Sequence, residues 1–111
     1  IHPFDDDRVI AGQGTVGMEM LGDRPDLDAL VIAVGGGGLI SGVGVAARGL
    51  APGVEIVGVQ SASYPSMAAA TGRWTNGVPG GASIAEGIAP AVPGERTRRY
   101  VEALVDDMVV V

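Results

Sequence analysis

The stretch VIAVGGGGLISGVGVAARGL, Val31 to Leu50, constrains this chain more than any other. An apolar run passes into four consecutive glycines and then into a pattern of helical period. Ala29 to Val34 is apolar without alternation. That predicts a strand buried on both faces, and hence a parallel sheet. Leu39, Val43, Ala46, Ala47 and Leu50 recur at helical spacing and predict a helix from about residue 39 to 50. Gly42 and Gly44 within it are expected to allow close approach to the sheet. Ala51, Pro52 and Gly53 end the helix, and Val54 to Val59 reads as a second buried strand. Strand, helix and strand in this order call for a right-handed parallel crossover.

The flanks extend the same pattern. Ile1 to Phe4 reads as a short strand end. Asp5 to Asp7 suits a helix start, where a carboxylate caps free N–H groups. A helix to about Met20 is expected there, loosened by Gly12, Gly14 and Gly17. A short helix is expected over Pro65 to Ala70, then an irregular stretch to Pro93. Pro93 and Gly94 precede a helix to about Val105, with Val101, Leu104 and Val105 as its buried stripe. Glu95 with Arg99, and Arg98 with Glu102, form i,i+4 pairs on its wet face. Arg96 is expected on that solvated face too. Met108 to Val111 reads as a last strand.

The fold class is therefore α/β, a partial three-layer sandwich around a parallel sheet. Three strands make a narrow sheet with apolar edges, which are an aggregation hazard. Together with the start at Ile1, this leads to the expectation that residues 1–111 form one partial domain of a longer polypeptide.

Composition narrows the chemistry. Apolar residues make up 47% of 111, with one Trp, two Tyr and one Phe, so aliphatic side chains must fill the core. There is no cysteine, which removes disulfide frameworks, zinc–thiolate sites and cysteine nucleophiles. The net charge of -6 argues against nucleic acid or an anionic membrane as partner. No apolar run approaches the ~18 residues of a membrane span, and no secretory signal pattern is visible. A cytoplasmic origin is compatible. Every basic residue is Arg, and Lys is absent.

Gly35 to Gly38 join the C-terminal end of a strand to a helix N-terminus, where ligands sit in open α/β sheets. Without Cβ atoms, successive N–H groups can turn towards one anion. The helix N-terminus adds partial positive charge. The plainer reading is a tight turn packed against a neighbour, which one or two glycines would satisfy; four in a row point to a phosphate. The dinucleotide pattern G-x-G-x-x-G fails, because Ile40 or Ser41 stands where its third glycine belongs. The second strand ends in Gln60 rather than in an acid that would hold a ribose. No P-loop lysine follows. A small monophosphate fits better.

Three blocks carry a resemblance through nearly the whole chain, in order: IHPFDDDRVIAGQGTVGMEML, DALVIAVGGGGLISGV, and SIAEGIA followed by LVDDMVVV. They resemble the serine/threonine dehydratase family, pyridoxal-phosphate lyases of fold type II that also include serine racemases. The resemblance implies the large domain of a tryptophan synthase β-like enzyme. It implies that Gly35, Gly36, Gly37, Gly38 and Leu39 hold the phosphate of pyridoxal 5'-phosphate, and that Gly87 lies beside the cofactor ring. His2, Pro3 and Phe4 match the block at the edge of the active site, where the family varies at Phe4. Gln13, Gly14 and Thr15 match a block read here as mainly structural.

The implied reaction is β-elimination of threonine or serine to a 2-oxo acid and ammonia, with the cofactor ring as electron sink. It needs a lysine to bind the cofactor covalently. In the family that lysine lies upstream of this segment, with the loop that holds the substrate carboxylate; the pyridine-nitrogen partner lies downstream. The 111 residues alone are therefore expected to be inactive, with the rest of the polypeptide as first partner. A homo-oligomer is expected from the family's habit. A serine racemase-like segment, or a non-catalytic phosphate- or nucleotide-binding module, are the alternatives.

Other residues have plainer readings. The lone His2 is expected to be structural, and Glu86 to be near the ring or simply solvated. Asp106 and Asp107 are expected at a helix end. Some family members bind a divalent cation just after the second strand. The matching positions here are Gln60, Tyr64 and Ser66, which lack the acids such a site uses, so no metal is expected.

Overall fold

The computed structural model describes residues 2–73 and 93–111. Its elements run α1 (Asp7–Asp23), β1 (Ala29–Ala33), α2 (Gly38–Leu50), β2 (Glu55–Gln60), α3 (Ser66–Ala70), α4 (Glu95–Leu104) and β3 (Asp107–Val110). The strands form one parallel sheet in the order β1-β2-β3. Leu30 lies opposite Ile56, and Gly58 opposite Met108. The expected α/β arrangement is present. Of the strand end expected at Ile1 to Phe4, the described residues show none: residues 3–6 form bends, tied by His2, whose Nδ1 accepts from the N–H of Asp5 at 3.0 Å and of Phe4 at 3.3 Å.

The core lies between the sheet and the helices. Leu30, Ile32 and Val34 from the first strand region, Ile56 and Met108 from the others, meet Ile40, Val43 and Ala47 of α2 and Val101 of α4. The opposite face of β1 is open, with Val31 66% exposed. The unbroken apolar run thus becomes a strand covered on one face by described residues. Sheet and helical layer supply two layers of the expected partial sandwich.

Helix α2 is the central element, and its buried arc is broader than the predicted stripe. Ile40, Ser41, Gly42, Val43, Gly44 and Ala47 are buried, whereas Leu50 is exposed. The glycines explain why. Gly42 faces α1 rather than the sheet: a Cβ there would strike Ile10 O and crowd Gly14 N at 2.6 Å. Gly14 returns the contact, since its own Cβ would lie 3.0 Å from Gly42 O. Gly17 packs likewise on Val43. Of the three glycines expected to loosen α1, Gly14 and Gly17 instead let two helix backbones approach closely. Gly44 faces Leu104 of α4, with a Cβ there 3.3 Å from Leu104 Cβ.

Polar side chains tie the ends. Asp6 caps α1, its Oδ1 accepting from Arg8 N at 2.8 Å. Hydrogen bonds from the Arg8 side chain and backbone hold the Asp6 carboxyl down at about 2. Asp5 caps α4 from across the chain, with Oδ1 accepting from Arg96 N at 2.8 Å and Thr97 N at 3.2 Å. Arg96 is therefore part of this knot, its guanidinium 3.9 Å from both Asp5 and Asp7, rather than only a solvated face. The two expected i,i+4 pairs form, Arg99–Glu95 at 2.8 Å and Arg98–Glu102 at 3.6 Å. At the opposite end Asp106 follows α4, as expected. Its Oδ2 accepts from Ile56 N and from Arg48, each at 2.7 Å, while Arg48 also donates to Val54 O and Leu104 O.

Two outcomes are expected in denaturant titrations. Gly42→Ala destabilises by about 1–3 kcal/mol through overpacking. Gly12→Ala, in the same bundle with nothing within 4 Å of the new Cβ, stabilises by about 0.5–1 kcal/mol. The Ile56 N–H and then Arg48 hold the Asp106 carboxyl below its ordinary 3.8. Its folded value lies below its unfolded one, so its contribution is present above the unfolded value and is lost as pH falls through the folded one. Asp106→Asn retains an acceptor for Ile56 and loses the ion pair. It should cost about 0.5–1 kcal/mol at pH 7 for a half-exposed pair. The gap to the parent protein should narrow as titrations are carried to acid below the ordinary carboxyl value of 3.8.

Candidate functional site

The carboxyl end of β1, the four glycines and the first turn of α2 form one continuous corner. Gly35, Gly36, Gly37 and Gly38 are buried and Leu39 is half-buried. Gly37 sits at φ 99°, the left-handed region that side chains disfavour, and it is the residue from which α2 departs. Its carbonyl accepts the first helical bond, from Ser41 N at 3.0 Å.

Protein side chains press on this corner from three elements. A Cβ on Gly36 would enter the ring of Phe4. A Cβ on Gly37 would lie 2.7 Å from Met67 Cε and 2.8 Å from Thr97 Cβ, and one on Gly38 3.2 Å from Phe4 Cβ. Each of these three glycines therefore has a packing reason of its own. Four glycines in a row do not by themselves demand an anion. The stronger indication is where the backbone groups point.

Three successive carbonyls are held by buried side chains. Gln60 Nε2 donates to Val34 O and to Gly35 O, both at 3.2 Å. Thr97 Oγ1 donates to Gly36 O. In a trans peptide the N–H points opposite to the carbonyl it shares a plane with. The N–H groups of Gly35 and Gly36 thus point away from Gln60, and that of Gly37 away from Thr97. Those of Gly38, Leu39 and Ile40 are the free donors of a helix N-terminus. Among the described residues, none accepts a hydrogen bond from the N–H of Gly36 through Ile40. Leaving such buried donors unmatched costs about 1–3 kcal/mol each. Bare glycines, outward N–H groups and a helix N-terminus fit a phosphate group.

The other residues singled out from sequence fall as follows. Phe4 packs on the glycine corner, with His2 edge-on to it at a ring-centroid distance of 4.5 Å. Gly14 lies at the contact of α1 with α2, and Thr15 Oγ1 donates to Gly12 O within α1. Gly87 and Glu86 lie outside the described residues. Gln60, weighed as a metal position, has its amide engaged: Oε1 accepts from Ala68 N at 2.9 Å while Nε2 holds the loop. Ser66 Oγ is buried and has no hydrogen-bond partner among the described residues. Gln60 and Thr97 are the site residues that sequence reasoning missed. For Thr97 a signal was available: it continues the buried stripe of α4 four residues before Val101.

The sequence and the fold have counterparts among known proteins. A family model described as pyridoxal-phosphate dependent enzyme matches residues 1–111. The chain is 48% identical to an L-threonine ammonia-lyase of Thermotoga maritima, covering 100% of this chain and 28% of that protein. It is 42% identical to the catabolic L-threonine dehydratase TdcB of Escherichia coli K12, covering 100% of this chain and 34% of the relative. The chain thus spans about a third of the length of the curated relatives it matches. Among solved structures, the processed form of threonine deaminase isoform 2 from Solanum lycopersicum superposes with a TM-score of 0.89 at 40% identity, over 100% of this chain and 33% of that one. Maize serine racemase superposes at 0.88 and 36% identity, over 100% of this chain and 35% of that one. With a family match along its full length and these folds superposing over the whole chain, the chain belongs to the pyridoxal-phosphate dependent enzyme family.

Proposed function

We propose that residues 1–111 are part of the cofactor-binding domain of a lyase that deaminates threonine or serine, and that this segment holds the phosphate end of pyridoxal 5'-phosphate. The observation that carries the reading is the donor array at the carboxyl end of β1. Among the described residues no group accepts from the N–H of Gly36 to Leu39, and the N–H groups of Gly35, Gly36 and Gly37 back onto carbonyls already bonded inside the protein. A phosphate dianion there receives several charge-assisted bonds, each worth about 1.5–3 kcal/mol. The N-terminal end of α2 adds to the attraction. Gly87 is assigned beside the ring on the family pattern.

When bound, the cofactor supplies an electron sink, so that an amino acid can lose its α-proton and then its β-hydroxyl. The described residues contribute anchoring and exclusion. The glycine corner fixes the cofactor's phosphate end, and Phe4 packs over Gly36 and Gly38, closing that side of the loop to water. The segment contains no lysine to bind the cofactor covalently. The reaction therefore depends on residues elsewhere in the polypeptide. Serine racemase-like activity is the second reading, favoured by the near-equal superposition on maize serine racemase.

The test is an assay of the full-length protein reconstituted with pyridoxal 5'-phosphate. Release of 2-oxo acid and ammonia in equal amounts from L-threonine or L-serine is expected. Inversion to the D-amino acid without 2-oxo acid would establish the racemase reading. Residues 1–111 alone should yield neither. Failure of the full-length protein to retain the cofactor would sink both enzyme readings and leave a phosphate-binding module. Gly37→Ala, forced into a left-handed conformation against Met67 and Thr97, should weaken cofactor retention about tenfold or more in equilibrium dialysis.

A further inference from the structure

Four glycines in a row make the least self-supporting loop a chain can build, because no side chain restrains φ or ψ. A phosphate site needs the opposite: donors already aimed before the ligand arrives. The restraint must come from outside the loop. Gln60 is 0% exposed and joins three segments at once. Its Oε1 is fixed by the Ala68 N–H, which can only donate. Its Nε2 is thereby turned to the Val34 and Gly35 carbonyls, which can only accept. Thr97, also 0% exposed, holds the next carbonyl, that of Gly36. Its own backbone N–H is bonded to Asp5, so its place in the first turn of α4 is fixed as well.

We propose that Gln60 and Thr97 are positioning residues that aim the N–H groups of Gly35, Gly36 and Gly37 at the cofactor phosphate by gripping the carbonyl of each preceding peptide. Peptide planarity makes the grip effective: fixing a carbonyl direction fixes the N–H on its other side. Methionine would fill the volume of Gln60 without requiring buried polar partners. The amide is needed because an aliphatic side chain offers nothing to two inward carbonyls. Both side chains bond the loop from the side its carbonyls face, so their effect is expected at the phosphate end.

The proposal rests on the loop being the phosphate site, and the experiment separates the two. Apo-protein of full length is titrated with pyridoxal 5'-phosphate and with pyridoxal, which lacks the phosphate, following cofactor absorbance. Tighter binding of the phosphorylated form by about a hundredfold or more is expected for the parent protein. Equal affinities there would overturn the phosphate-site reading itself. Gln60→Met should lower affinity for pyridoxal 5'-phosphate about tenfold while leaving pyridoxal binding within about twofold. Isosteric Thr97→Val should act in the same direction. If both ligands weaken together, or neither weakens while the melting temperature falls, the two residues serve only the core and the proposal is overturned. Should Gln60→Met fail to fold, the ligand ratio of Thr97→Val decides.

Discussion

Three consecutive carbonyls turn into the protein at the end of β1, and all three find side-chain donors there. That single arrangement links most of the fold. Gln60 reaches the corner only because β2 runs parallel to β1 in a register that brings its last residue beside Val34. Thr97 reaches it because α4 begins against the same corner, and α4 begins there because Asp5 caps it. Asp6, the next residue, caps α1. The turn at residues 3–6 therefore sets the starts of two helices and lays Phe4 on Gly36 in the same stroke. Sequence positions nearly a hundred residues apart meet at one site through carboxylate caps rather than through apolar contact.

Close helix packing supplies the second constraint. The contact of α1 with α2 has glycine on both sides, Gly14 facing Gly42, so the two backbones approach where any side chain would hold them apart. The resulting layer covers one face of the sheet. Its other face shows Val31 and Val109 to solvent, and both are β-branched residues suited to a packed surface. The chain spans about a third of its relatives' length, and among the described residues nothing covers Val31 on that face.

Much of this was legible in the sequence, and the reasons are physical. The runs at Ala29 to Val34 and Val54 to Val59 located β1 and β2, because their shortness and β-branched content favour strand over helix. The helical spacing in 39–50 and 95–104 located α2 and α4 to within a residue or two. The errors have a common cause. Ile1 to Phe4 looked like a strand by composition, but His2 Nδ1 captures two backbone N–H groups and bends the chain. Gly42 was assigned to the sheet because a helix wheel shows that a face is buried, not what covers it. Gln60 and Thr97 stayed hidden as site residues because their function depends on contacts 25, 26 and 61 residues away, which no local pattern encodes.

The glycines illustrate the same limit from the other side. Their number suggested a phosphate, yet packing against Phe4, Met67 and Thr97 accounts for three of them. Ordering a backbone residue costs about 1–2 kcal/mol, and glycine sits at the upper end. A loop of four would spend most of the gain from two or three charged hydrogen bonds, about 1.5–3 kcal/mol each, if the ligand had to order it. Here folding has already ordered it: the corner is packed on one side and its carbonyls are tied on the same molecule. In the proposed site the phosphate would meet donors whose conformational cost is carried by the core. In the proposed site the glycines make room for the phosphate, and the polar residues buried behind them hold the loop's carbonyls.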